Sequence, residues 1–171
     1  QDSTATTQAQ AKAETTTAAP TTAIPTTATP TTVAQAKTEM PAGAQKTVFE
    51  ASAKGGTETM TVYYKDDVLL KQETVEVYTL SQLEVENALE KLQNNTARTK
   101  ETLKDFIGKG FEYNTEHKGD IFTITYSFDY TKIDLDKLKE KIPGLDLRDD
   151  KTLSYSAYKE GLLKGGYKEK Q

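Results

Sequence analysis

Apolar and polar side chains alternate along one stretch of the C-terminal half. From Ile121 to Tyr130, the even-numbered positions carry Phe, Ile and Tyr, whereas the odd-numbered positions between them carry Thr, Ser and Asp. A period of two residues is typical of a β-strand with one buried face and one exposed face. The sequence therefore predicts a strand here, and we expect its row of large side chains to lie under a helix.

Four further stretches show a weaker alternation between turn residues. The predicted strands cover residues 47–53, 57–64, 68–78 and 111–116. Turn sequences rich in Gly or Asp follow the first two strands, so the first three are expected to form an antiparallel meander. Residues 117–120 are predicted to be the turn that joins the fourth strand to the fifth.

A helical pattern fills the chain between the third and fourth strands, from Leu80 to Gly108. Ser81 and Glu84 have the spacing of a capping box, and Leu80 with Val85 that of a hydrophobic staple. We predict one long amphipathic helix of about 40 Å, at about 1.5 Å per residue, with a bend or break near residues 94–95. The predicted buried stripe comprises Val85, Ala88, Leu89, Leu92, Thr96, Thr99, Leu103, Phe106 and Ile107.

Two short helices are predicted after the fifth strand. The first has Asp134 as its N-cap and ends before Pro143, and the second covers residues 154–163. The tail from Lys164 is expected to fray. The predicted fold class is α+β, with an antiparallel sheet of about five strands, arranged as a three-strand meander, a long helix, a two-strand hairpin and short C-terminal helices. The long helix is expected to pack on one face of the sheet.

The N-terminal part of the chain has a different composition. Residues 1–46 are dominated by Thr, Ala, Gln and Pro, and a five-residue repeat begins at Pro20, Pro25 and Pro30. Because this stretch has few large apolar side chains, burying them cannot offset the conformational entropy lost on ordering. We therefore expect residues 1–46 to be a disordered tether and residues 47–171 to be a single α+β domain. An ordinary linker or solubilising tail is an equally weighted interpretation.

Composition excludes several classes of function. The chain has no cysteine, which removes disulfides and thiol catalysis. Its net charge of −4 has the wrong sign for a protein that neutralises nucleic-acid phosphates. No run of about 20 apolar residues predicts a membrane span. Because the chain starts at Gln1 and not at Met, we expect that a preceding segment has been removed.

No set of residues predicts catalysis or metal binding. His117, the only histidine, falls in a predicted turn, where a solvated side chain is favoured over a general base. Gly108-Lys109-Gly110 lacks the other residues of a phosphate loop, and Tyr63, on the polar face of its strand, is more simply explained by packing than by ligand stacking. We predict no catalytic residues, no cofactor and no metal. Two acidic clusters lack calcium-loop spacing: Asp129, Asp134 and Asp136, and Asp146, Asp149 and Asp150.

Three stretches resemble the YehR-like family of bacterial lipoproteins. They are residues 61–72 (TVYYKDDVLLKQ), 121–130 (IFTITYSFDY) and 142–145 (IPGL), and the order of predicted elements from Thr47 is similar as well. The resemblance implies an extracytoplasmic protein that is exposed at the surface and anchored to the cell membrane by a lipid on a Cys preceding Gln1. It implies no agreed activity and supplies no catalytic residues.

Three hypotheses about function follow. The leading one is a non-enzymatic, membrane-anchored bacterial surface domain that binds a partner, such as an envelope or host protein, or serves another role in the envelope. The second is a carrier of a small apolar or sugar ligand, which a buried pocket beneath Thr96 and Thr99 would favour. The third is a hydrolase that uses two carboxylates in a cleft, drawn from Glu112, Glu116 and Asp129.

Overall fold

The structure, a computed structural model, describes residues 42–170. Six strands form one antiparallel sheet with the order β4-β5-β3-β2-β1-β6. The strands are β1 Gln45–Ala53, β2 Gly56–Lys65, β3 Val68–Thr79, β4 Phe111–Lys118, β5 Ile121–Asp129 and β6 Lys168–Lys170. The helices are α1 Ala88–Thr102, α2 Leu135–Lys141 and α3 Tyr155–Lys164. The predicted α+β class and the antiparallel sheet are confirmed, whereas the predicted tether lies outside the described residues except for 42–46.

The pairing register sorts the side chains onto two faces. Phe49 of β1 lies opposite Met60 of β2, which lies opposite Thr74 of β3. All three are buried, and we call their side of the sheet the inner face. On the other side, the outer face, Thr59 lies opposite Val75, and Val75 lies opposite Thr125. Directly opposed residues share a face because side chains alternate along each strand.

All three helices pack on the inner face. One hydrophobic cluster joins the inner residues of the strands to side chains of every helix, including Leu92 of α1, Leu138 of α2 and Tyr155 of α3. Leu138 and Phe111 are fully buried. Burying one such side chain stabilises the fold by about 1.5–3 kcal/mol, so this layer dominates its stability. The large side chains of β5 belong to the same cluster, as predicted from their alternation.

The long helix is shorter than predicted. It has 15 residues, Ala88–Thr102, and not the 29 of residues 80–108. The prediction of a capping box is wrong, because Ser81 lies in a single 3₁₀ turn and donates both its backbone N–H and its hydroxyl to the carboxylate of Asp120. Glu84 reaches Lys54 instead of the helix start. Tertiary contacts with two hairpin turns have replaced the local cap.

The start and the course of α1 also differ from the prediction. Its N-cap is Asn87, which has a left-handed backbone with φ 56° and makes no side-chain cap. The predicted staple does not form, because Val85 is 49% exposed. Residues 94–95 lie within α1, so the predicted break is absent. No helix in residues 42–170 is long and apolar enough to cross a membrane.

The sheet has one strand more than predicted. The C-terminal tail was expected to fray, but β6 pairs with β1, with Val48 opposite Lys170. Gly166, with φ 98°, turns the chain after α3 and brings Tyr167 onto the inner face. A strand of three consecutive charged residues shows no alternation, which is why the sequence did not predict it. His117 is likewise strand rather than turn, because β4 runs to Lys118.

Candidate functional site

The single histidine has the environment of a solvated residue. His117 lies near the end of edge strand β4 and is exposed. Its Nε2 lies 2.9 Å from the carbonyl oxygen of Gly119, and its ring faces Phe122 with centroids 6.3 Å apart. No carboxylate orients the ring in these contacts, as a general base would require. The side chain is exposed as the sequence suggested, although His117 lies in a strand and not in the predicted turn.

Most of the predicted acidic clusters serve local structure. Asp134 caps α2 by accepting a hydrogen bond from the backbone N–H of Lys137. Asp136 pairs with Lys151 at 3.0 Å. A hydrogen bond from the Thr152 hydroxyl holds the pKa of Asp150 below its ordinary value. Within the described part of the chain, no group of three or more His, Cys, Asp or Glu residues is arranged to hold a metal ion.

The carboxylates considered for hydrolysis lie on the outer face. Glu112 lies opposite Ser127, so it is a diagonal neighbour of Asp129 at about 7–8 Å. The open sheet surface forms no cleft around them, and the Asp129 carboxylate already accepts hydrogen bonds from the backbone N–H and hydroxyl of Thr131. Glu116 is four residues further along β4 and pairs with Lys118 at 3.4 Å. This geometry does not support carboxylate hydrolysis.

The stripe of α1 offers no support for a ligand carrier. Thr96 is buried, and its hydroxyl donates to the carbonyl of Gln93 within the helix at 3.1 Å. The Thr99 hydroxyl donates in the same way to Asn95 at 3.1 Å. The two best-formed surface depressions lie elsewhere, on the outer side of α3 and beside Arg148. Both threonines therefore fit as helix residues whose polar groups are satisfied locally.

A group of carboxylates and tyrosines lies on the inner face. Glu58 of β2 lies directly opposite Glu76 of β3, and we call this pair with its tyrosines the Glu–Tyr cluster. Tyr167 donates to Glu58 and Tyr78 donates to Glu76, each at 2.6 Å. Burial raises the pKa of Tyr78 and Tyr167, and the nearby carboxylates raise it further, so both hydroxyls remain hydrogen-bond donors. The cluster ties the C-terminal segment to the sheet.

Gln72 organises a second polar group in the core. Its Oε1 accepts from Tyr158 of α3 at 2.5 Å and from Tyr130 at 3.1 Å, and its Nε2 donates to Thr74 at 3.0 Å. Gln72 is only 5% exposed, so an unpaired amide there would be costly. These hydrogen bonds fix the position of α3 over the sheet.

A third polar group joins the β2–β3 turn to the C-terminal part of the domain. The Asp67 carboxylate accepts from the backbone N–H of Ser156 at 2.8 Å and from the Ser154 hydroxyl at 3.1 Å. Arg148 donates to the Asp67 carbonyl at 3.1 Å and approaches the carboxylate at 3.4 Å. We call these four residues the Asp67 latch. Its members are satisfied by one another, which indicates a structural role.

The outer face of the sheet is left uncovered by the helices. Its apolar residues, Val48, Tyr63, Val75 and Val77, are absent from the core cluster that all three helices join. None of the outward-pointing residues of the three central strands is fully buried. Much of the centre of this face consists of short uncharged side chains: Thr57, Thr59, Thr61, Val75, Val77, Thr123, Thr125 and Ser127. Lys71 and Glu73 of β3 also point outward there and pair with each other at 3.5 Å, next to Asp129 of β5.

Charged side chains surround that centre. Glu112 and Glu116 lie on the β4 edge, and Lys168 and Lys170 lie on the β6 edge. The five longer strands have 8–12 residues and β6 has three. Five strands about 4.8 Å wide and about nine residues long, at about 3.3 Å per residue, give a face of roughly 24 by 30 Å, or about 700 Å². The outer face is therefore a broad surface with two charged edges and a centre that is mostly uncharged, apart from the Lys71–Glu73 pair and Asp129.

The comparison with protein families identifies the chain. Residues 45–168 match the family described as a protein of unknown function, DUF1307. The chain belongs to the DUF1307 family. This membership covers nearly all of the described domain and agrees with the resemblance to YehR-like proteins that the sequence suggested.

Two solved structures are similar to this DUF1307 member. The NMR structure of the E. coli YehR protein has 20% sequence identity and a TM-score of 0.55, and the match covers 76% of this chain and 93% of that chain. The NMR structure of a protein from Streptococcus pneumoniae TIGR4 has 20% identity and a TM-score of 0.47, with 78% and 88% covered. The first likeness shows a shared fold. Neither the family description nor these structures indicate an enzymatic activity.

No curated protein matches the DUF1307 chain with significant similarity. The sequence did not single out the outer face, the Glu–Tyr cluster or the Asp67 latch. A signal for the Glu–Tyr cluster was present, because Glu58 and Glu76 have the same strand parity as the buried Met60 and Thr74.

Proposed function

We propose that this protein is a non-enzymatic, lipid-anchored component of the bacterial cell surface, and that its folded domain binds another protein through the outer face of the sheet. The observation that carries the proposal is the mostly uncharged centre of that face, which no helix covers and which charged edges flank. The two charges that β3 places at the centre, Lys71 and Glu73, neutralise each other at 3.5 Å. Protein interfaces are depleted of charge at the centre and polar at the rim. The area of about 700 Å² is close to the roughly 800 Å² that each partner buries in a standard interface.

The surface location is supported by the sequence. The Thr-rich and Pro-rich stretch of residues 1–46 suits a spacer that holds a domain away from its anchor. The resemblance to lipoproteins supports the second part of the proposal, an anchor in the form of a lipid on a Cys ahead of Gln1. Expressing the complete gene in its own bacterium with labelled palmitate tests this proposal. We expect labelled protein in the membrane fraction, and unlabelled protein in the cytosol would contradict the anchor.

Protein binding through the outer face is tested with two arginine variants of the full chain. Thr59→Arg places a long charged side chain at the centre of the face, whereas Leu163→Arg makes a similar change at an exposed position of α3. Each variant is immobilised and exposed to envelope extract beside the wild type. We expect Leu163→Arg to retain the wild-type partner and Thr59→Arg to lose it. Retention by both variants, or loss by both, would contradict binding through this face.

A further inference from the structure

We propose that the outer face binds the outer face of a second copy of this chain, in a two-fold dimer whose axis runs parallel to the strands. This inference rests on the proposed function, because it names a protein partner for the same surface. In a two-fold dimer both subunits use the same patch, so that patch must be complementary to itself. The outer face meets this requirement through its charges.

The two edges of the outer face differ in charge. At the β4 edge, Glu112 and Glu116 point outward, and Lys118 neutralises part of the Glu116 charge at 3.4 Å. The opposite edge carries Lys168 and Lys170 of β6 and Lys46 of β1 against one carboxylate, that of Glu50, which pairs with Lys170 at 3.5 Å. One edge is therefore net acidic and the other net basic.

The direction of the axis decides which edges meet. Rotation about an axis parallel to the strands places β4 of one copy over β6 of the other and keeps residues at the same level along the strands opposite each other. Glu112 shares its level with Lys170, through a row of paired residues that crosses the sheet: Ser127, Glu73, Thr61 and Val48. Two Glu112–Lys170 contacts result, one on each side of the axis.

The alternative axis is electrostatically unfavourable. An axis perpendicular to the strands would place β4 over β4, with Glu112 and Glu116 near their own copies. Like charges that face each other across an interface cost several kcal/mol, whereas complementary charges fix the register. The charge pattern thus selects one of the two face-to-face arrangements.

The size and the side chains of the face fit such packing. Two sheets stack about 10 Å apart with their strands nearly aligned, provided that the facing side chains interdigitate. The Thr, Val and Ser side chains at the centre are short and uncharged, so they can approach closely. The charges of β3 that would be buried with them, Lys71 and Glu73, already form an ion pair within each copy at 3.5 Å. Roughly 700 Å² from each copy gives about 1,400 Å² in total, within the range of stable interfaces.

Sedimentation velocity of the full chain over a range of concentrations tests the proposal. The wild type is expected to form a dimer whose population rises with concentration. Glu112→Lys should raise the dissociation constant of the dimer by about tenfold or more, because at each of the two contacts it places a lysine against Lys170 of the other copy. Lys170→Glu should weaken it similarly, and the double variant should restore it. Glu86→Lys, the same charge change at an exposed position before α1, is the matched control and should have no effect.

The charge-swap rescue separates this proposal from a loss of folding, because a misfolded variant is not restored by a second substitution. A chain that stays monomeric at every concentration would overturn the dimer, as would a dimer that Glu112→Lys leaves unchanged. If a monomeric chain still binds an envelope protein in a manner that Thr59→Arg abolishes, the dimer fails while the proposed function stands.

Discussion

Replacing Asp67 with asparagine should break the latch between the β2–β3 turn and the C-terminal part of the domain. The carboxylate accepts hydrogen bonds from the backbone N–H and hydroxyl of Ser156, at 2.8 and 3.1 Å, and from the Ser154 hydroxyl at 3.1 Å. Asp67 has φ 62°, a left-handed conformation that asparagine also tolerates. The substitution therefore removes the charge and leaves the turn intact.

The expected loss of stability is moderate. A hydrogen bond to a charged group contributes about 1.5–3 kcal/mol when it is well shielded from water. The Asp67 side chain is 43% exposed, so solvent screening reduces this contribution, and asparagine keeps one acceptor oxygen. We expect Asp67→Asn to lower the free energy of unfolding by about 1–2 kcal/mol, equivalent to a fall in Tm of roughly 3–8 °C.

The effect should depend on pH. Burial raises the pKa of Asp67, but the hydrogen bonds from Ser156 and Ser154 and the charge of Arg148 lower it further, so the net pKa lies below its ordinary value. A depressed carboxylate pKa contributes stability above the pKa of the unfolded chain, about 3.9 for Asp. That contribution is lost as the pH falls through the folded pKa. The difference in the free energy of unfolding between the wild type and Asp67→Asn should therefore be largest at neutral pH and should shrink below about pH 4.

Urea unfolding followed by circular dichroism, at a series of pH values, measures this gap. Asp66→Asn is the control, since Asp66 lies in the same turn with φ 51° and is exposed. It should change stability by less than about 0.5 kcal/mol. The reasoning is refuted if Asp67→Asn is as stable as the wild type at neutral pH, if the gap does not change with pH, or if Asp66→Asn loses as much.

Three further predictions concern the core, a helix cap and a turn, all measured by urea unfolding. Leu138→Ala, at a fully buried position, should lower the free energy of unfolding by about 2–5 kcal/mol. Leu163→Ala, at a position that is 44% exposed, should lower it by less than about 1 kcal/mol, and equal losses would contradict the burial pattern. Asp134→Ala should cost about 1 kcal/mol by removing the cap of α2, and no loss would mean that the cap is dispensable. Gly55→Ala should lower the free energy of unfolding more than Gly108→Ala does. Both glycines have positive φ, but of the two only at Gly55 would the new Cβ approach a side chain within 3 Å. A larger loss for Gly108→Ala would contradict the packing at Gly55.

Local patterns predicted the strands and the short helices well. The alternation from Ile121 to Tyr130 corresponds to β5, Asp134 is the cap of α2 as predicted, and α3 falls almost entirely within the predicted residues 154–163. These signals succeed because they depend on residues close in sequence. An N-cap side chain bonds a backbone N–H only two or three residues away, so the sequence alone contains the interaction.

The start of α1 could not be predicted because distant residues decide it. Ser81 and Glu84 have the capping-box spacing, yet they are held by Asp120 and Lys54, which are 39 and 30 residues away in the sequence. A tertiary hydrogen bond to a carboxylate outweighs a local cap of about 1 kcal/mol. β6 was missed for a similar reason, since its pairing with β1 and the Lys159–Glu169 ion pair join it to residues that are distant or not visible in a local pattern.

The outer face became visible only with the pairing register. Each strand taken alone shows Thr and Val on one side, which indicates no more than a solvated surface. The register places Thr59, Val75 and Thr125 side by side on neighbouring strands and places the opposite charges of Glu112 and Lys170 at the same level. A candidate interface is a property of several strands together, so no single motif contained it.

Photo-cross-linking in the living bacterium tests the central claim most directly, that the outer face is where this domain binds protein. A photoreactive phenylalanine analogue replaces Thr59 at the centre of the face, or Lys100 at an exposed position of α1. The account predicts a discrete protein adduct from position 59 and none from position 100, and an adduct of twice the chain mass would identify the second copy. Adducts from position 100 alone, or from neither position, would contradict the account.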